Sequence, residues 1–288
     1  MRAVSRIGMW RAGQSYVWRG VVDATWGMSS SLFRLLQSEL RRRPMESEMR
    51  ERERALLFEA REWGLGLELG ASATDLHLLA TLQHHGLPTR LLDVTRNPMT
   101  AMYFACEPRP DGDGCPGVMF AFNVAGFVRF KTIDANQPPT WGAVGHGVHE
   151  SLRQALAGSR TTGRPVIIEP TLRDARMTAQ EGLFLASWTP DAPRIPYVDD
   201  LALPTTAAPT RALLDKHLSP PVRPAGMPNA LPFCALVIPA GLKQRVLMHL
   251  ERTYNRTRAF LYPDIAGFAH ELELGALSLD RAGTEDPI

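Results

Sequence analysis

The amino-acid sequence predicts an α+β fold, with a mixed, largely antiparallel sheet flanked by helices. Three observations carry that expectation. Runs rich in β-formers and runs with helical spacing of apolar residues are interspersed, without the regular alternation of a doubly wound sheet. One stretch, residues 78–106 (LLATLQHHGLPTRLLDVTRNPMTAMYFAC), reads as helix, turn, strand and helix in quick succession. A chain of 288 residues with 44% apolar and 22% charged side chains can also bury a substantial core. No internal repeat is found. We expect one domain over 1–288, with a helical insert at about 29–86 and an irregular proline-rich insertion at about 190–232.

In chain order, residues 14–20 (QSYVWRG) alternate and are rich in β-formers, giving a strand with Arg19 at its end and Gly20 opening a turn. Residues 29–40 begin with serines able to cap a helix and offer Leu32, Phe33, Leu35 and Leu36 for burial, with Arg34 among them. Pro44 ends that helix. A charge-laced helix follows over 45–63, with Met49, Leu56, Leu57, Ala60 and Trp63 for one face, and its alternating run from Arg50 to Arg54 is read as solvated. Residues 73–85 form the next helix, with Thr74 or Asp75 as its cap. Gly86 supplies the left-handed residue that ends it, and Pro88 keeps it from resuming. A brief buried strand at 91–95 then leads into Asn97 and Pro98. That pair is a strong helix start, because asparagine caps free amides and proline at the first helical position loses no hydrogen bond. The helix over 99–106 is apolar nearly all round and should be buried. Beyond a loop at 107–117, strands are expected at 118–124, 164–169, 176–187 and 233–238. Helices are expected at 148–157, 210–218, 240–253 and 264–274, the last capped by Asp264.

Composition excludes several classes. No run of about eighteen apolar residues exists, so neither a membrane span nor a membrane partner is expected. Residues 1–13 lack the apolar core of a signal peptide, which fits a cytoplasmic location. Cys106, Cys115 and Cys234 are far apart and match no zinc spacing. His146 and His149 stand three apart, but no carboxylate or cysteine completes a set, so no metal centre is expected. Net charge is +2, and only three of the 32 basic residues are lysine. Alanine, glycine and proline are abundant alongside arginine, so this bias does not by itself signal nucleic acid.

The polar residues of the central stretch are the candidate site. Asp93 and Thr95 would sit at a strand end facing a helix N-terminus, where free amides and the positive dipole end favour an anion or a sugar. Arg19 could reach a phosphate with a bidentate fork. Arg90 could clamp a phosphate or pair with Asp93. His84 and His85 close a helix beside the strand and are read as structural or substrate-orienting. Cys106, at the end of a buried helix, is read as an inert core thiol.

Trp18-Arg19-Gly20, the Ser31-Leu32-Phe33-Arg34 segment, QHHGLPTRLLDVTRNPMTAMYFA, the Arg176, Gln180, Gly182, Phe184 pattern and LYPDIAG together resemble the FRG-domain family of bacteria and phage. That family brings no assigned activity. A second resemblance does suggest chemistry. Arginine-class ADP-ribosyltransferases carry an arginine on an early strand, then a Ser/Thr motif on a strand leading into a helix, then a late glutamate motif. Arg19, then Asp93 and Thr95, then Gln180 and Glu181 follow the same order. The resemblance implies an ADP-ribosyltransferase-like fold and NAD as substrate. Arg19, Gly20, His85, Arg90, Thr95 and Asn97 would bind it, while Arg19, Asp93, Thr95, Gln180 and Glu181 carry the chemistry. It also implies a toxin or phage-defence role, a protein or nucleic-acid acceptor, and a cognate antitoxin or immunity protein as partner. Here Leu92-Asp93-Val94-Thr95 replaces Ser-Thr-Ser, and if Gln180 rather than Glu181 faces the site, Asp93 or Glu169 must supply the carboxylate. Two other readings are a nucleic-acid binder or processing protein, motivated by the arginine count together with Arg90 and Arg96 flanking Asp93, and a catalytically inactive recognition module.

Overall fold

The computed structural model describes residues 1–66, 74–108, 114–132, 150–171, 174–193, 198–203, 211–218 and 225–273. Its elements run α1 (Arg2–Gly8), β1 (Tyr16–Val21), α2 (Ser31–Leu40), α3 (Glu46–Glu62), α4 (Asp75–His84), β2 (Leu92–Thr95), α5 (Pro98–Cys106), β3 (Gly117–Asn123) and β4 (Arg129–Lys131). They continue with α6 (Glu150–Thr162), β5 (Val166–Glu169), α7 (Ala175–Ala179), β6 (Gly182–Ala186), α8 (Arg211–Leu218), β7 (Phe233–Ile238), α9 (Ala240–Tyr254), α10 (Arg258–Leu261) and α11 (Ile265–Glu273). Among the described residues the strands form one seven-stranded sheet in the order β4-β5-β6-β2-β1-β3-β7. Only β4 and β5 pair in parallel; the remaining neighbours are antiparallel. The α+β architecture with a mixed, largely antiparallel sheet is therefore as the sequence predicts.

Local chemistry sets the helix starts. Ser30, Thr74, Asn97 and Asp174 each accept a backbone N–H of the helix they open. Gly86 has φ +80, the left-handed conformation that ends α4.

Alternation along the strands divides the core. On one face Trp18, Met119, Ala121 and Cys234 pack with Ala101, Ala105 and Leu250 of α5 and α9. Also packed together are Val166, Ile168, Phe184 and Ala186 with Leu79 of α4 and Leu156 of α6. Val17, Leu92, Val94, Phe122, Ile167, Leu183 and Leu185 form a third cluster with Leu201 and Leu203. Because Cβ atoms alternate across a strand, Asp93 and Thr95 face away from Leu92 and Val94. They lie on β2, which stands between the strands packed against α5 and α9 and those packed against α4 and α6.

Several expectations are corrected. The first strand does not turn at Gly20 but continues to Val21, paired with Val118 of β3. A Cβ on Gly20 would lie 1.9 Å from the Ala101 carbonyl oxygen, so the glycine is there to let α5 lie on the strand. The run 176–187 is not one strand. Asp174 accepts Met177 N at 2.7 Å, which opens the short α7, and the chain turns at Gln180 and Glu181 before β6. Glu53, within the run read as solvated, is 1% exposed and is ion-paired with Arg90. The elements α1, β4 and α10 were not expected. His146 and His149 lie outside the described residues.

Candidate functional site

A groove beside α5 and α7 is lined by Arg19 and Gly20 of β1, Asp93 and Thr95 of β2, Phe104 of α5, Met177 of α7 and Gln180 before β6, among others. The space in and above it, open solvent included, is about 370 Å³. Trp18 is opposite Thr95 and Thr95 is opposite Gly182, so three strands present one cross-strand row, whereas Arg19, next to Trp18, starts on the other face of β1. The β1–β2 register consists of that one pair, whereas β1 and β3 match over six. Where the β1–β2 ladder lapses, Arg19 Nη1 donates to the Asp93 carbonyl at 2.7 Å and lies 3.8 Å from its Oδ2.

Arg19 and Asp93 differ in solvation. The Arg19 side chain is 22% exposed and that of Asp93 is 54% exposed. Burial pulls the Arg19 guanidinium below the usual arginine range, Asp93 pulls it back, and Arg34 pushes it down again. Arg19 Nε is buried with no hydrogen-bond partner among the described residues. A desolvated, incompletely paired guanidinium gains from an incoming anion.

Thr95 and Gln180 are spent on structure. Thr95 is 3% exposed; its hydroxyl donates to Gln180 O at 2.6 Å and accepts from Asn97 N at 3.0 Å. The Gln180 amide donates to Leu261 O at 2.9 Å. Gln180 rather than Glu181 lines the groove. Glu181 sits in the left-handed region at φ 50, and its carboxylate accepts from Asn97 Nδ2 at 2.7 Å and lies 3.3 Å from Arg256 Nη2. Asn97 also caps α5 through Met99 N at 2.9 Å.

The remaining sequence candidates lie elsewhere. Arg90 is 2% exposed; its guanidinium pairs with Glu53 and Glu46 and donates to Ser187 O, so it neither clamps a ligand nor pairs with Asp93. His85 is exposed at the end of α4, edge-on to His84 at 5.2 Å, and does not line the groove. His84 Nδ1 lies 3.4 Å from Asp174 Oδ2. Glu169 shares one oxygen between Arg96 and Arg129, each at 2.6 Å. Arg90 and Arg96 therefore do not flank Asp93 as a basic pair. Cys106 is fully buried in the core, and burial pushes the Cys234 thiol up to about 11, so neither has the character of a nucleophile.

Sequence reasoning missed Gln83 and Thr89. Gln83 Nε2 donates to Asp93 Oδ2 at 2.7 Å, and Thr89 Oγ1 donates to Gln83 Oε1 at 2.6 Å. Their signal was a polar residue in the last turn of a helix that the chain folds back upon within ten residues.

Three strands, each bringing one part of the sequence patterns to a single groove, frame the comparison with known proteins. Residues 14–114 match the family model described as FRG domain. The chain carries an FRG domain. The match takes in Trp18-Arg19-Gly20, α2 to α5 and the whole Asp93 to Asn97 segment, while Gln180 and Glu181 lie beyond it. No curated protein and no solved structure matches the chain. No described helix is long and apolar enough to cross a membrane.

Proposed function

We propose that this FRG-domain protein consumes NAD, as an ADP-ribosyltransferase or NAD glycohydrolase acting as a bacterial toxin or phage-defence effector. The observation that carries the reading is the shared groove of Arg19 and Asp93: a desolvated guanidinium beside a solvent-reachable carboxylate. Arg19 would hold the diphosphate of NAD. In the reaction the bond between the ribose anomeric carbon and the nicotinamide nitrogen breaks, and its electron pair leaves with neutral nicotinamide. Positive charge then develops on the sugar, which the Asp93 carboxylate stabilises. Water or an acceptor nucleophile supplies the new bond to the anomeric carbon and releases its proton to solvent. Asp93 takes the carboxylate role because Gln180 occupies the groove and Glu181 is tied to Asn97 and Arg256. Thr95 orders the turn that carries Gln180, and Gly20 lets α5 close the groove. The open groove favours an enzyme over an inert recognition module.

The test is nicotinamide release from NAD by the purified protein, with and without cell lysate. Arg19→Ala and Asp93→Asn are each expected to slow release by at least about a hundredfold, the usual scale for losing one transition-state electrostatic contact. Glu181→Ala is expected to act mainly through folding, with a smaller effect per folded molecule. A requirement for lysate identifies transfer to an acceptor. The reading fails if neither condition gives release, or if Asp93→Asn retains full rate.

A further inference from the structure

We propose that Gln83 is the positioning residue of Asp93, the last link of a directed hydrogen-bond relay running from Thr89 through the Gln83 amide to the carboxylate. Its catalytic consequence rests on the NAD reading; the relay itself rests on geometry alone.

The chemistry of the groups fixes the direction of the relay. An ionised carboxylate only accepts, so the Gln83 atom 2.7 Å from Asp93 Oδ2 is the amide nitrogen. The amide oxygen then faces Thr89 Oγ1 at 2.6 Å, and the hydroxyl must donate to it. The hydroxyl oxygen in turn accepts Leu91 N at 3.1 Å. Thr89 is itself immobilised. It is fully buried, its N–H donates to Ser31 Oγ at 3.1 Å, and its carbonyl accepts from Ser31 Oγ at 3.2 Å and Leu32 N at 3.1 Å.

The first turn of α2 therefore fixes Thr89, Thr89 fixes the Gln83 amide, and the amide fixes one oxygen of Asp93 beside Arg19. A half-exposed carboxylate on a strand surface would otherwise rotate. With Oδ2 held, Oδ1 has no hydrogen-bond partner among the described residues and is left for a ligand. Gln83 does not line the groove, so it acts through Asp93 rather than on a substrate. Helices α2 and α4 thereby serve the site, although none of their own side chains lines it.

Two readouts test this. In ¹⁵N-labelled protein the Gln83 side-chain amide pair, assigned by its loss in Gln83→Met, is expected to shift on Asp93→Ala; an unmoved signal overturns the relay whatever the enzyme does. In nicotinamide release, Gln83→Met is expected to lower kcat roughly ten- to a hundredfold, the scale of one hydrogen bond to a charged group, with KM within about threefold. Thr89→Val is expected to lower kcat less, and the double variant should be no slower per folded molecule than Gln83→Met alone, because Thr89 acts only through Gln83. Additive losses, or an unchanged kcat in Gln83→Met, overturn the proposal. If the wild-type protein releases no nicotinamide, the NAD reading fails and the amide signal alone decides the relay.

Discussion

Gly20 shows how a residue can be singled out by sequence for the wrong reason. Beside a β-rich run it reads as the start of a turn, yet the strand passes straight through it. What requires the glycine is a backbone from elsewhere: an added Cβ would meet the Ala101 oxygen at 1.9 Å and the Ala105 nitrogen at 2.6 Å. Gly117 on β3 meets the same helix, with the Ala105 oxygen at 1.9 Å. Both obstacles are helix backbone and cannot rotate aside. Gly20→Ala is therefore expected to cost about 3 kcal/mol or more, the upper end for overpacking, with α5 lifted from the sheet. Chemical denaturation checks the stability, and a loss under about 1 kcal/mol would mean that α5 yields easily. Arg90 is a similar case: an arginine two residues before a strand carries no mark of whether it meets solvent or two glutamates from a distant helix.

At the scale of elements, the β2–α5 connection was the most legible part of the chain because its signals are local. The Asn97 cap, Pro98 at the first helical position and the left-handed Gly86 all stand where the sequence places them. The turn at Gln180 and Glu181 was hidden because glutamate rarely adopts positive φ and because the tethers lie far away in sequence. Thr95 and Arg96 hold its backbone, and Asn97 and Arg256 hold its carboxylate. Asn97 thus serves two elements, capping α5 with Oδ1 and gripping Glu181 with Nδ2. Asn97→Ala is expected to lower stability by about 1–2 kcal/mol, the range for a lost cap. Asn97→Asp keeps the cap acceptor but sets a second carboxylate against Glu181, so it should recover only part of that loss at neutral pH and more of it as pH falls and one carboxylate takes a proton. Thermal unfolding of both variants at pH 5 and 7 separates the cap from the grip; equal behaviour at the two pH values would remove Glu181 from the account.

At the scale of the molecule, the α+β class was readable from interspersed periodicities, but strand order was not, since it depends on which distant faces meet. The central α3-to-sheet tie belongs to this hidden part. Arg90 donates to Glu53 Oε2 at 2.7 Å, to Glu46 Oε2 at 3.1 Å and to Ser187 O at 3.0 Å, and Glu46 also accepts Thr189 N at 2.9 Å. Helix α3, the entry to β2 and the exit from β6 are thereby pinned at one buried point. Burial works against the Arg90 charge, but the two glutamates outweigh it and hold the guanidinium protonated; for Glu53, burial raises the carboxyl and Arg90 opposes the rise. In Arg90→Met, Glu53 keeps the burial and loses the cation. Its folded-state value, already raised by burial in the native protein, then rises further above the unfolded one of about 4.3. The cost of ionising it in the core is absent below that pH and grows as pH rises. The variant is expected to lose about 3–5 kcal/mol at pH 7, as when one partner of a buried pair is removed, and distinctly less near about pH 4. Adding Glu53→Leu should recover part of the neutral-pH loss, because one of the two carboxylates left without the cation goes with it. Urea unfolding of both variants across that range decides the matter: a deficit independent of pH would mean that Glu53 escapes to water once Arg90 is gone, and that α3 is held to the sheet by its apolar contacts alone.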